Sequence, residues 1–144
     1  MATILVTGGC GYIGSHTLVD LLENGHSARS LDNLSNADEQ VLEGIYDITG
    51  ERVTNTSIDL RDRKRVLDFF RESGDIQGVI HFAALKSVGA SVENPLLYYD
   101  NNINGLLHLL EAMDRFAVPH LIFSSSCSVY GNARELPVRE DTPF

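Results

Sequence analysis

Thr3-Ile4-Leu5-Val6-Thr7-Gly8-Gly9-Cys10-Gly11-Tyr12-Ile13-Gly14-Ser15-His16 is the stretch on which the fold turns. Its first four residues form a short apolar run of strand character, which Thr7-Gly8-Gly9 ends. Ile13, Thr17, Leu18, Leu21 and Leu22 then fall at helical spacing, and Asn24-Gly25 closes that helix. Between strand and helix lies Gly8-x-x-Gly11-x-x-Gly14. A turn this tight calls for glycine, which reaches backbone angles that other residues avoid. Bare backbone also admits a pyrophosphate to the N–H groups at the positive end of the helix. The last glycine lets helix and strand pack closely. On its own the triplet is equally well a plain tight turn.

Working outward, the context favours a dinucleotide site. A second strand over Ser27–Leu31 ends in Asp32, 18 residues past Gly14. A carboxylate there accepts hydrogen bonds from ribose hydroxyls and repels a 2′-phosphate. Asn33, Leu34 and Ser35 follow with no arginine among them, which favours NAD over NADP. The plainer role for Asp32 is to cap a turn with Asn33.

The remaining pattern predicts a helix near Asp38–Ile48, a weak strand at Val53–Ser57 and a helix over Arg61–Ser73 ended by Gly74. A strand at Gly78–Phe82, one helix from Pro95 to about Arg115 and a fifth strand at His120–Phe123 come next, then loop to Phe144. Strands alternating with helices give an α/β, doubly wound parallel sheet of Rossmann type. The expected strand order is 3-2-1-4-5, with ligands outside the carboxyl ends of strands 1 and 4.

Composition narrows the class. A net charge of −9 argues against a nucleic-acid footprint, which needs a basic face. No apolar run approaches the ~20 residues of a membrane span, and the strand pattern begins too early for a signal peptide. Cys10 and Cys127 are too few for a disulfide scaffold and carry no zinc spacing, so both read as reduced thiols of a cytoplasmic protein. His81 and His120 read as strand histidines, and no metal site is expected.

Four stretches carry a family resemblance. The glycine-rich segment with Leu31-Asp32-Asn33-Leu34 resembles the start of the nucleotide-sugar epimerases and dehydratases of the extended short-chain dehydrogenase/reductase family. His81-Phe82-Ala83-Ala84-Leu85-Lys86-Ser87-Val88-Gly89 and Tyr98-Tyr99-Asp100-Asn101-Asn102-Ile103-Asn104-Gly105 are similar to the strand-4 loop and helix motif of UDP-glucose/UDP-galactose 4-epimerases. Phe123-Ser124-Ser125-Ser126, with Val129-Tyr130-Gly131, resembles their strand-5 serine loop.

The resemblance implies an isomerase of galactose and nucleotide-sugar metabolism. It would interconvert UDP-galactose and UDP-glucose through a 4-keto intermediate, with tightly bound NAD. It implies that Gly8, Gly11, Tyr12, Ile13 and Gly14 lie at the pyrophosphate. Asp32, Asn33, Leu34, Ser35, Asn36 and Ala37 would surround the adenosine ribose, and Asp59 and Leu60 would flank the adenine. Phe82, Ala83, Ala84, Lys86 and Asn101 would line the cofactor, with Ser126 the catalytic hydroxyl. A homodimer through the helix near 95–115 is implied as well. Read singly, Asp59 is also a helix N-cap, Lys86 a surface lysine and the serines turn residues. The family base, a tyrosine four residues before a lysine, is absent: Tyr130 is followed at that spacing by Arg134. The expectation is therefore that residues 1–144 are an incomplete NAD-binding domain, lacking the Tyr-x-x-x-Lys helix and the sugar-nucleotide domain. Other nucleotide-sugar epimerases, a 4,6-dehydratase, or a non-catalytic NAD-binding module remain alternatives. Dehydratases place an acidic pair where this chain has Cys127-Ser128.

Overall fold

A computed structural model describes all residues, Met1–Phe144. Five strands form one parallel sheet: β1 (Thr3–Thr7), β2 (Ser27–Leu31), β3 (Asn55–Thr56), β4 (Gly78–His81) and β5 (His120–Phe123). Their order is β3-β2-β1-β4-β5, as the alternation implied. Central β1 pairs Thr7 with Leu31 on one side and with His81 on the other, and His81 in turn pairs with Phe123. Leu31, Thr7, His81 and Phe123 thus form one row across the sheet. Every loop that leaves these four strands starts at that row.

Successive strand residues point to opposite faces, and β1 shows the consequence. Leu5 joins a 13-residue core with Val66, Phe70, Leu109 and Ala112, beneath α3 (Arg63–Ser73) and α6 (Gly105–Arg115). Val6 faces the other way, into a smaller core with Leu18 and Leu22 of α1 (Tyr12–Glu23) and Ile45 of α2 (Val41–Thr49). Burying each such side chain is worth roughly 1.5–3 kcal/mol, so both helix layers are held by the same strand. An ion pair between Arg63 and Glu111 links α3 to α6 at the surface.

Several boundaries differ from the expectation. Asp38–Gln40 is a turn, with Asp38 Oδ1 accepting the Gln40 N–H at 2.9 Å, so α2 starts at Val41. The third strand shrinks to two paired residues because only Asn55 and Thr56 register with β2. Asp62, accepting the Arg65 N–H, starts α3 two residues later than the pattern suggested. The expected single helix over 95–115 is in three parts: α5 (Pro95–Tyr99), a π-helical turn (Asp100–Asn104) and α6. A short helix α4 (Val88–Glu93), capped by Ser87, and a 3₁₀ turn (Cys127–Tyr130) lie where only loop was expected. No helix is long and apolar enough to cross a membrane.

Candidate functional site

The glycine-rich turn is shaped by contacts that exclude side chains. Gly8 has φ +71°, and a Cβ there would lie 2.8 Å from the backbone nitrogen of Ala83, the second residue past β4. A Cβ on Gly14 would fall on the Gly8 carbonyl oxygen. The turn therefore lies against the start of the β4 loop, and the first turn of α1 folds back onto it. At the N-terminus of α1, Gly11 supplies no side-chain cap. The amide N–H groups of a helix start so arranged are suited to an anion. The rings of Tyr12 and His16 meet edge-on at 4.8 Å on the outer face, leaving Tyr12 82% exposed. Only the backbone of Tyr12 belongs to the turn.

Asp32 stands beside that turn. Its Oδ2 accepts the Cys10 N–H at 3.1 Å, and its Oδ1 accepts the Leu34 N–H at 2.9 Å. The turn-capping role is thus present, and so is a direct bond to the glycine-rich segment. Each carboxylate oxygen keeps a second lone pair for another donor. Cys10 itself is buried, which pushes its thiol pKa up, and its sulfur lies 3.7 Å from Ser30 Oγ. It fills the floor of the turn.

One step farther along the sheet, Asn33 Nδ2 donates to Asp59 at 3.2 Å, and Asn33 Oδ1 accepts the Ser35 N–H at 3.1 Å. Ser35 and Asn36 are exposed. Asp59 is not the helix cap; Asp62 is. Instead Arg61 grips Asp59, with Nη2 2.7 Å from Oδ2 and Nε 3.0 Å from Oδ1. That guanidinium holds the Asp59 carboxyl down at about 2, helped by the Arg61 and Asn33 N–H donors and opposed by partial burial. Leu60 turns its side chain into the core below Gly105, and its carbonyl oxygen lies 2.9 Å from His108 Nδ1. Only its backbone can face a ligand.

On the β4 side, Phe82 donates its N–H to Thr7 O at 3.0 Å, continuing the ladder past the row of strand ends. Phe82 and Ala83 are half-buried, whereas Ala84 and Lys86 are exposed. Lys86 makes no ion pair, in keeping with either reading of it. Asn101 stands on the π-helical turn, where its Nδ2 donates to Asn102 at 2.9 Å. His81 is a buried strand histidine with Nδ1 2.6 Å from Thr7 Oγ1, and burial lowers its pKa to about 4. Beyond β5, Ser124 donates its N–H to His81 O at 3.1 Å. Ser126 caps the 3₁₀ turn: its Oγ accepts the Ser128 N–H at 3.2 Å and donates to Ser128 Oγ at 3.0 Å.

The structure thus joins Gly8 to Phe82 and Ala83, Asp32 to Cys10, and Asn33 to Asp59. Ser126 bonds only within its own segment. Sequence reasoning left out Arg61 and Gly9, where an added Cβ would strike Ser30. The Asp59-Leu60-Arg61 spacing was the available signal for Arg61, since a guanidinium two residues from a carboxylate can fold back on it.

The family model described as GDP-mannose 4,6 dehydratase matches residues 5–144. The UDP-glucose 4-epimerase of Bacillus subtilis (strain 168) is 50% identical over 141 residues, which is 98% of this chain and 41% of that protein. A crystal structure of UDP-glucose 4-epimerase from Stenotrophomonas maltophila, with bound NAD and formylated UDP-arabinopyranose, aligns with a TM-score of 0.92 at 47% identity. It is covered over 99% of this chain and 42% of its own. That of Bifidobacterium longum, in complex with NAD+ and UDP, gives the same TM-score at 46% identity, again over 99% of this chain and 42% of its own. This chain spans about two fifths of the length of these relatives. With 5–144 inside the match, the chain belongs to the GDP-mannose 4,6 dehydratase family.

Proposed function

We propose that residues 1–144 form the NAD-binding domain of a UDP-glucose 4-epimerase, contributing the cofactor site and one catalytic hydroxyl. The observation that carries this is the packing of the Gly8 turn against Ala83 with the Asp32 carboxylate bonded to the same turn. A Cβ would fill this cradle, and the uncapped α1 N-terminus beside it supplies free donors. The residues present fit the cofactor of the similar epimerases.

When bound, NAD would supply the hydride acceptor for C4 of a UDP-sugar. The chain's own residues would bind and orient. Backbone N–H groups of Tyr12, Ile13 and Gly14 would hold the pyrophosphate, with Gly8 and Gly11 admitting it, the Gly11 N–H being spent on the Gly8 carbonyl oxygen. Asp32 would accept from the adenosine ribose, with the loop of Asn33, Leu34, Ser35, Asn36 and Ala37 around it. Asp59 and the Leu60 backbone would border the adenine. Phe82, Ala83, Ala84, Lys86 and Asn101 would line the remainder. Ser126 Oγ would share a hydrogen bond with the sugar's 4-hydroxyl. Its partner Ser128 is a hydroxyl donor and acceptor, with no carboxylate in that bond, which supports an epimerase over a 4,6-dehydratase. The tyrosine base and its lysine would come from outside these residues, as would the grip on uridine.

Calorimetric titration with NAD and NADP tests the cofactor site, and NADP preference would overturn the reading of Asp32. Conversion of UDP-galactose to UDP-glucose by a protein containing this chain within the full relatives' length tests the activity.

A further inference from the structure

Arg61 is shared by two carboxylates, and no role proposed above uses it. Its guanidinium lies 2.7 Å from Asp59 and 3.9 Å from Asp100, the first residue of the π-helical turn. The donors on Asp59 can be counted. Its Oδ1 accepts the Arg61 backbone N–H at 2.9 Å and Nε at 3.0 Å. Its Oδ2 accepts Arg61 Nη2 at 2.7 Å and Asn33 Nδ2 at 3.2 Å. A carboxylate offers about four lone-pair sites, so these donors fill it, and Arg61 supplies all but one of them. Asp32 differs, since each of its oxygens keeps a lone pair open. Asp59 can therefore accept from an incoming group only where a donor steps aside. Arg61 is fixed on both oxygens, whereas Asn33 holds one oxygen by a single, longer bond, so Asn33 is the donor that can exchange. Leu60, between the two partners, is itself anchored, with its side chain in the core and its carbonyl oxygen 2.9 Å from His108 Nδ1. Stability alone does not explain the fork. The Arg61 and Asp59 side chains are 37% and 29% exposed, and ion pairs so close to solvent add little to folding.

We propose that Arg61 is a positioning residue for the adenosine side of the cofactor site, acting through Asp59. Its fork fixes the plane of the Asp59 carboxylate and leaves one position on Oδ2, held by Asn33, for a donor of the adenosine to take. The same fork keeps the carboxyl ionised, so that position stays an acceptor. Lysine could not replace it, because a point charge does not span two oxygens as a planar guanidinium does. This rests on the NAD reading above. The Arg61 Nε–H offers a readout independent of it, since a proton held on a carboxylate exchanges slowly with water.

The test is a double-mutant cycle of Arg61→Gln with Asp59→Ala, read by titration with NAD and with AMP, its adenosine half. Arg52→Gln, which removes the same charge from an exposed pair with Glu43, is the control. Arg61→Gln should weaken both ligands about tenfold, the order expected for lost charge-assisted hydrogen bonds. Arg61→Lys should recover only part of that loss, and Arg52→Gln should change nothing. In the Asp59→Ala background, Arg61→Gln should cost no further affinity, because residues acting as one unit are not additive. The Arg61 Nε–H should exchange slowly in the unsubstituted chain and fast in Asp59→Ala. A purely structural arginine would give additive losses and full rescue by lysine, and either result would overturn the proposal. So would undiminished NAD affinity in Arg61→Gln, or in Arg61→Lys if the glutamine variant does not fold. An unprotected Nε–H in the unsubstituted chain would overturn the fork itself. Failure of that chain to bind NAD, with the Nε–H protected, would instead strike the reading of the site.

Discussion

The Asp32 carboxylate at the end of β2 and the Cys10 amide in the glycine-rich turn are joined by a 3.1 Å hydrogen bond. The acid is therefore held against the turn before any ligand arrives. Its other oxygen is fixed by the Leu34 N–H, so its orientation is set from both sides. Preorganisation of this kind lowers the cost of ordering a binding group.

Replacing Asp32 by alanine should weaken NAD by ~1–3 kcal/mol, the range for charge-assisted hydrogen bonds. The gap between NAD and NADP should narrow, because the repulsion of a 2′-phosphate goes with the carboxylate. Parallel titrations of both cofactors check this. Unchanged NAD affinity would leave Asp32 only its turn-capping bonds.

Glycine substitutions should separate by what surrounds them. Gly14→Ala forces a methyl onto the Gly8 carbonyl oxygen, a backbone atom that cannot swing aside. Overpacking of this kind costs typically ~1–3 kcal/mol, and cofactor binding should fall with it. Gly44, inside α2, has nothing within 4 Å of a Cβ. Gly44→Ala should stabilise by ~0.5–1 kcal/mol through helix propensity. Thermal melts of the two variants, shifting in opposite directions, check the pair.

The sheet order and the turn were legible in sequence because each rests on local signals: apolar runs of strand length, glycines between strand and helix, and an acid at a strand end. Three features were not. The π-helical turn carries Asn102, whose side chain bonds both backbone groups of Leu85, a contact between segments that helical periodicity does not encode. Helix α4 is six residues capped by Ser87, too short to show a period. The 3₁₀ turn is held by Ser126 and Ser128, and serines after a strand suit a turn or a catalytic loop alike. The extra residue of the π-helical turn also breaks the 3.6-residue count, so the register that carries Met113 of α6 into the core is not that of one continuous helix.

Two pH windows should be separable. Burial lowers the His81 pKa from 6.5 to about 4, so between these values the unfolded chain takes up a proton that the folded chain does not. Stability contributed by neutral His81 is full above about 6.5 and declines as pH falls toward 4. Asp59 is also lowered, from 3.8 to about 2, so its contribution is full above 3.8 and is lost as pH falls through about 2. Because Asp59 is partly exposed, that contribution should stay within about 1 kcal/mol. Denaturant unfolding from pH 7 to 2 should show His81→Asn flattening the upper slope and Asp59→Asn flattening only the lower one. The reverse assignment would contradict the burial of His81.

Self-association follows from what the long helix leaves uncovered. Leu96, Tyr99, Ile103, Leu107 and Leu110 are 80%, 64%, 47%, 55% and 39% exposed, and they recur every three or four residues. Val88 and Val92 of α4 extend the apolar surface. Leu107 lies on that stripe, while its neighbour Leu106 is half-buried. A surface helix ordinarily shows one apolar face to its own core. This one buries Leu109, Ala112 and Met113 against the sheet and still carries a second apolar face. At the far edge, β5 pairs only with β4, and its Ile122 and Phe123 are 62% and 49% exposed. Open edges and apolar patches favour association. The isolated chain should therefore be oligomeric or aggregation-prone by light scattering, with Leu96→Glu plus Ile103→Glu shifting it toward monomer if the helix face is the contact. It should also show no turnover of UDP-galactose with NAD supplied, since no tyrosine in these 144 residues has a lysine four positions on. A monodisperse monomer would remove the argument for a helical interface. Turnover would move the base onto a residue present here, with Tyr130, four residues past Ser126, the first to replace.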